Sequence, residues 1–250
     1  LIKQEEIDFK PMVSNTLQKI SVNYEDMGEY DKALNFYTRS LRIAQEIDNK
    51  LVISMSFSGI GGIYAAIGDY EKAFNYKIRS SEEAKKTDDM RNRGASLAGI
   101  GYVHFCKGEY DEALGYFTSS LDILRDIGEK NYIGMYLGII GAIYFNKGEN
   151  TKALEYLEQS QTIQKQVGLK IGSVRLQTTT YLYHVYKNLN KEYDVVELHS
   201  LIKETTNIEF ELNYRIYQLL EDTSYLETAY NQIQEKADNL EPDVAAKFLS

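Results

Sequence analysis

Apolar positions recur along the chain at helical spacing, and the whole pattern repeats every 40 residues. Ile20, Ile60, Ile100 and Ile140 stand in one column, and Tyr24, Tyr64, His104 and Tyr144 stand four residues further on. A spacing of four puts both columns on one face of a helix, which predicts the inner stripe of a first helix, A. Gly28, Gly68, Gly108 and Gly148 follow, at positions where a left-handed residue ends a helix without strain. The strings GEYDKALNFY, GDYEKAFNYK, GEYDEALGYF and GENTKALEYL then read as a second helix, B. The acid at 29, 69, 109 and 149 suits the positive end of that helix. Ala33, Ala73, Ala113 and Ala153 let A and B approach closely, and Ser40, Ser80, Ser120 and Ser160 are expected to do the same against the next hairpin. One hairpin cannot bury its own apolar face, so the copies must stack. Helix A of the second to fourth copies is expected to end at Gly68, Gly108 and Gly148.

These columns resemble the tetratricopeptide repeat. The family's L-G-x-x-Y signature stands here as Ile60-Gly61 with Tyr64, Ile100-Gly101 with His104, and Ile140-Gly141 with Tyr144. Ser21 replaces the glycine in the first copy. Tyr37 and Phe117 match the aromatic position of helix B, and Lys77 and Leu157 depart from it. The usual repeat is about 34 residues. A period of 40 looks like the long subclass found in kinesin light chains and bacterial signalling arrays. The resemblance covers residues 13–170. It implies an all-α, right-handed superhelical solenoid of antiparallel helix pairs, with ten to twelve helices.

Repeats are read at about 13–50, 51–90, 91–130 and 131–170, within a single domain over 1–250. A degenerate fifth hairpin spans 171–206: Leu182, Tyr183 and Tyr186 mimic the signature with a slip of two, and Asn190 stands for the glycine. Residues 207–250 read as capping helices. That tail looks like the closing segment of arrays joined to bacterial nucleotide cyclases and ATPase-type regulators. It also carries a net charge of −7 over 204–250, out of −9 for the chain, which suits a polar cap on a sticky solenoid end or an acidic docking surface.

Composition narrows the function. The only prolines are Pro11 and Pro242, which favours helices throughout. Twenty-one tyrosines and no tryptophan suit half-buried positions between helices. An acidic chain without a basic cluster is expected to bind neither nucleic acid nor an anionic membrane surface. No apolar run approaches a membrane span, the N-terminus does not read as a signal peptide, and the missing initiator methionine fits a piece of a longer chain. A single cysteine, Cys106, excludes a disulfide within the chain and fits a cytoplasmic protein.

Candidate chemistry is sparse. GIGGIY and GIGYVH fail to complete G-x-G-x-x-G and follow no strand. His104 occupies the tyrosine column, and Cys106, two residues on, points elsewhere on the helix. No cofactor, metal or catalytic residue is therefore expected, and the chain is read as a non-enzyme. The resemblance implies that helix A lines a concave groove. By register, the second repeat contributes Met55, Ser58, Gly59, Gly62 and Ala66, and the third Ala98, Gly99, Tyr102 and Phe105. The fourth contributes Met135, Gly138, Ile139, Ala142, Phe145 and Asn146. Lys and Arg are nearly absent from this lining, while glycines leave room for a close backbone approach and Met and aromatics offer apolar contact. The expected partner is a protein or peptide segment, apolar or amphipathic, within a bacterial signalling protein. The alternatives are an apolar small-molecule effector in the groove, or a groove buried by the chain itself. A homo-oligomer is left open.

Overall fold

A computed structural model describes residues 2–169, 172–206 and 208–238, with the side chains of 2–8 and 236 left aside. These residues form twelve α-helices and, among the described residues, no strand. The helices are α1 (Ile2–Asp26), α2 (Tyr30–Glu46), α3 (Lys50–Ala66), α4 (Tyr70–Ala84), α5 (Met90–Cys106) and α6 (Tyr110–Asp126). They continue as α7 (Lys130–Asn146), α8 (Asn150–Gln166), α9 (Gly172–Asn188), α10 (Val195–Glu204), α11 (Phe210–Leu220) and α12 (Thr223–Asp238). Contacts divide the chain into two compact units, Leu1–Ile127 and Gly128–Ser250, where the repeat pattern alone reads as one array. In each unit, helices pair in sequence order, and alternate helices (α1 with α3, α3 with α5; α7 with α9, α9 with α11) also touch.

Helices α2 to α8 begin 20 residues apart, so the 40-residue period is two equal halves. The A-to-B turn is the expected glycine turn. Gly28, Gly68, Gly108 and Gly148 have φ of 74°, 81°, 77° and 77°. The N–H of the following residue reaches the carbonyl five residues back at 2.9 Å in all four copies, as in Glu29 to Tyr24. This satisfies a carbonyl that the helix end would leave unpaired. Asn190 ends the fifth helix A in the same conformation, φ 53°. The B-to-A turn was not apparent as a column, because Asp48, Gly128 and Gly168 fill its left-handed position with φ of 55°, 68° and 59°. The second copy has Asp88 there and no positive φ, and α4 is correspondingly shorter.

The acids at the start of helix B are its N-caps. Asp69 accepts from the Lys72 N–H at 3.2 Å. The longer side chains of Glu29, Glu109 and Glu149 make no such bond, and Glu149 instead holds Lys152 at 2.7 Å. That lysine lies over the Tyr144 ring, 5.0 Å from its centre, as Lys32 and Lys72 lie over Tyr24 and Tyr64. Beneath each lysine the helix A ring stacks on a helix B ring. Tyr24–Phe36, Tyr64–Tyr76, His104–Tyr116 and Tyr144–Tyr156 have centroids 5.3–5.6 Å apart and planes within 17°. Such stacks contribute about 1 kcal/mol each beyond the area they bury. In the third copy Glu112 takes the lysine position, and His104 instead meets Glu109 Oε2 at 2.6 Å. Tyr24, Tyr64, Tyr76, Tyr116, Tyr144 and Tyr156 thus serve packing within hairpins.

The serine column differs from its expectation. Ser40, Ser120 and Ser160 are fully buried and donate to the carbonyls of Ser14, Gly94 and Gly134, 26 residues earlier, at 2.8, 2.7 and 2.6 Å. In the second copy the direction reverses, with Ser54 donating to the Ser80 carbonyl at 2.8 Å. These bonds join A and B of one hairpin rather than successive hairpins. A small residue is needed there, but so is a hydroxyl to satisfy a buried carbonyl.

Candidate functional site

The face built from α1, α3 and α5 in the first unit retains open apolar surface. Met55 is 42% exposed and Tyr102 43%. Ser58, Gly59, Gly62, Ala66, Gly99 and Phe105 are half-buried on the same helices. Tyr102 and Phe105 pack ring to ring at 6.2 Å, and Phe105 also meets Tyr110.

The glycines of this face are not empty floor. A Cβ on Gly59 would fall 2.2–2.7 Å from ring atoms of Tyr37. A Cβ on Gly99 would meet the Lys77 stem at 3.1 Å, and one on Gly61 would meet it at 3.2 Å. The helix B column that is Phe117 and Leu157 elsewhere is Tyr37 and Lys77 here. Both reach between A helices, with an apolar body inside and a polar tip beyond. Tyr37 donates to Glu25 Oε2 at 2.7 Å. Lys77, 8% exposed, donates to the Ser58 carbonyl at 2.7 Å and to Ser58 Oγ at 3.1 Å.

This polar cluster of Glu25, Tyr37 and Lys77 was missed as a site. Its signal in the sequence was the one lysine in an otherwise aromatic or aliphatic column. Burial lowers the Lys77 amine to about 8, against the opposing pull of Glu25 and Cys106. Burial also raises the Glu25 carboxyl, offset by the Tyr37 hydrogen bond and by Lys77. Tyr37 is pushed up by burial and then by Glu25.

Several residues expected to line the groove lie elsewhere. Ala98, 2% exposed, is buried, and so are Gly138 and Ala142. A Cβ on Gly138 would fall 2.8 Å from Thr178 Oγ1 of α9 and 3.0 Å from Ser160 Oγ. Gln164 links those two hydroxyls at 2.9 Å each, so this part of the second unit is a filled polar seam. Phe145 packs on Tyr181 and His184 of α9, with ring centroids at 5.6 and 5.8 Å, and holds helices together. Met135 and Ile139 are half-buried, and Asn146 is exposed. For Gly138 and Phe145 the physical reason is contact with the next A helix of the same unit, α9, which leaves a narrower stripe of α7 facing outward.

His104 is a packing residue, stacked on Tyr116 and edge-on to Phe74. His184 Nε2 donates to the Arg215 carbonyl at 3.1 Å, and burial lowers the imidazole to about 4. Among the described residues, no group of three His, Cys, Asp or Glu could hold a metal ion, and no helix is long and apolar enough to cross a membrane.

No curated relative matches the sequence. Solved structures share the fold. A Rap protein complexed with Competence and Sporulation Factor superposes with a TM-score of 0.73 at 16% identity, covering 94% of this chain and 69% of that one. The Rap conjugation gene regulator of plasmid pLS20, in complex with the Phr* peptide, has a TM-score of 0.59 at 17% identity and covers 97% and 61%. A kinesin light chain-like repeat protein of Podospora anserina has a TM-score of 0.55 at 15% identity and covers 86% and 99%. At these identities the likeness speaks for the fold alone, the all-α array of helix pairs. The sequence itself matches the tetratricopeptide-repeat family over 13–86, 52–126 and 136–167, more than half of its length, and with the 40-residue columns, the glycine turns and the stacked hairpins this establishes that the chain belongs to the tetratricopeptide-repeat family.

Proposed function

We propose that the chain is a protein-interaction scaffold, the regulatory or sensory module of a larger bacterial signalling protein. Its α1–α3–α5 face would receive an apolar or amphipathic segment of another protein. The observation that carries this is the partial exposure of Met55 and Tyr102 on a face whose flanking residues are buried. Apolar side chains at helical spacing suit helix-in-groove recognition, in which a few anchors dominate the affinity. The Rap regulator of pLS20 bound to a peptide, and the Cut9–Hcn1 assembly at a TM-score of 0.62, support the reading by analogy of fold. Of the residues expected from the sequence, Met55, Ser58, Gly62, Ala66, Tyr102 and Phe105 form the proposed surface. Met135, Ile139 and Asn146 are candidates for a second contact in the other unit.

The test is selection of a displayed random-peptide library on the full chain. Selected peptides are then mapped by a photo-crosslinker placed at Tyr102 or, as a control, at Glu112 on α6. Crosslinks at position 102, with weaker binding by Met55→Ala and Phe105→Ala on the order of 1 kcal/mol or more each, are expected. Crosslinks confined to position 112 would refute the reading.

A further inference from the structure

Two polar groups at the α1–α3–α5 face, Glu25 of α1 and Lys77 of α4, keep hydrogen-bonding capacity. An ammonium carries three donors. Lys77 Nζ places two on Ser58, and no other hydrogen bond of the amine is seen among the described residues, with Cys106 near enough to act on its charge. Glu25 Oε2 accepts from Tyr37, while Oε1 has no hydrogen-bond partner among the described residues. The two groups flank the same point of backbone: a Cβ on Gly62 would lie 3.1 Å from Glu25 Oε1 and 3.8 Å from Lys77 Nζ. Gly62 itself is only half-buried, and nothing larger than hydrogen stands between the pair on α3.

A donor and an acceptor of opposite charge, both within 4 Å of one point beside Gly62, select a particular ligand chemistry. A carboxylate would satisfy Lys77 but meet Glu25 as a like charge. An ammonium would satisfy Glu25 and be repelled by Lys77. An amide carries a C=O acceptor and at least one N–H donor with no net charge, and it satisfies both. Both bonds would be charge-assisted, which makes them stronger than neutral ones, and partial burial shields them from competing water.

We propose that Glu25 and Lys77 form a clamp for a neutral amide group of the bound segment, its C=O accepting from Lys77 and its N–H donating to Glu25. The clamp rests on the reading that a segment docks on this face. The amide comes either from an Asn or Gln side chain or from a main-chain peptide group. The opposed displacements of the two groups, Lys77 lowered and Glu25 raised, accord with charges that the chain alone leaves under-compensated.

The experiment uses the full chain with 13C-labelled lysine and glutamate, titrated with acetamide, N-methylacetamide, acetate and methylammonium and followed by NMR. The Lys77 Cε and Glu25 Cδ signals are expected to shift together and saturably with an amide, and less with either ion. Lys77→Met should abolish the Glu25 response, and Glu25→Ala the Lys77 response, in variants whose melting confirms that they fold. Response to acetamide alone assigns a side-chain amide, and response to both amides assigns a peptide group. Absence of a saturable amide shift, a stronger Lys77 response to acetate, or an amide response that survives both substitutions overturns the clamp. A selected peptide that crosslinks at position 102 yet leaves both signals unmoved removes the clamp and keeps the docking face. Amide shifts retained while crosslinks fall on α6 remove the docking face and keep the amide-binding pair.

Discussion

Replacing Lys77 with methionine should stabilise the protein, and the gain should shrink as the pH rises. The Lys77 stem is enclosed by Gly61 and Gly99, and the residue is 8% exposed. Methionine keeps the unbranched stem and removes the charge. The amine falls from 10.5 to about 8, with burial the leading cause. At about 1.4 kcal/mol per pKa unit, that is worth about 3 kcal/mol against the charged folded form. Loss of the Ser58 hydrogen bonds offsets about 1 kcal/mol of this, and half-buried Ser58 can turn to water. The expected net gain for Lys77→Met is therefore about 2 kcal/mol at pH 7, in line with the replacement of other buried charges by apolar groups. The sign of the pH dependence follows from proton counts. Below pH 8 the amine is charged in both folded and unfolded chains, and the wild type bears the whole cost. Between about 8 and 10.5 the unfolded chain holds more protons than the folded one, so the wild type gains stability with pH. Paired urea denaturation of both proteins from pH 7 to 10.5 measures the difference, in which the titration of other groups cancels. A difference that does not change with pH, or a variant less stable than wild type at pH 7, would refute the reasoning.

Other substitutions separate packing from surface. Gly59→Ala should cost about 1–3 kcal/mol, since its Cβ would overlap the Tyr37 ring at 2.2 Å; Gly115→Ala, with nothing within 4 Å, should be neutral or slightly stabilising by the same denaturation assay. Gly108→Ala should cost about 1 kcal/mol, because φ of 77° strains any side chain. His184, lowered to about 4 by burial, stays neutral in the folded chain while the unfolded chain takes up a proton below about 6.5. Stability should fall as pH drops from 6.5 towards 4, and His184→Phe should flatten that part of the profile relative to wild type. Truncation after residue 206 removes α11, and with it Arg215 over the Tyr181 ring at 4.4 Å and the bond from Tyr193 to the Leu219 carbonyl. Light scattering should then show aggregation, and a truncated chain that stays monomeric and equally stable would show that the tail is no cap.

The helical hairpin was legible in the sequence because its determinants are local. A glycine that must adopt positive φ, an isoleucine and a tyrosine four apart, and an alanine at the closest approach of two helices each mark their place without knowledge of the rest of the chain. The 40-residue period repeats them, so an all-α array of ten to twelve helices followed, and the described residues form twelve. The function of the serine column did not follow, since the carbonyl that each serine satisfies lies 26 residues away on another helix. Nor did the outward stripe of helix A. Register alone could not tell Ala98, Gly138 and Ala142, which are buried, from Met55 and Tyr102, which reach solvent. The polar cluster lay furthest from view. Glu25, Tyr37 and Lys77 come from three helices, and Lys77 fits only because Gly61 and Gly99 leave its stem a passage. In the sequence that lysine is merely a departure from the repeat. Packing between helices decides that its charge is buried, lowered in pKa and set opposite a carboxylate, because desolvation and distance are properties of the folded neighbourhood rather than of the residue.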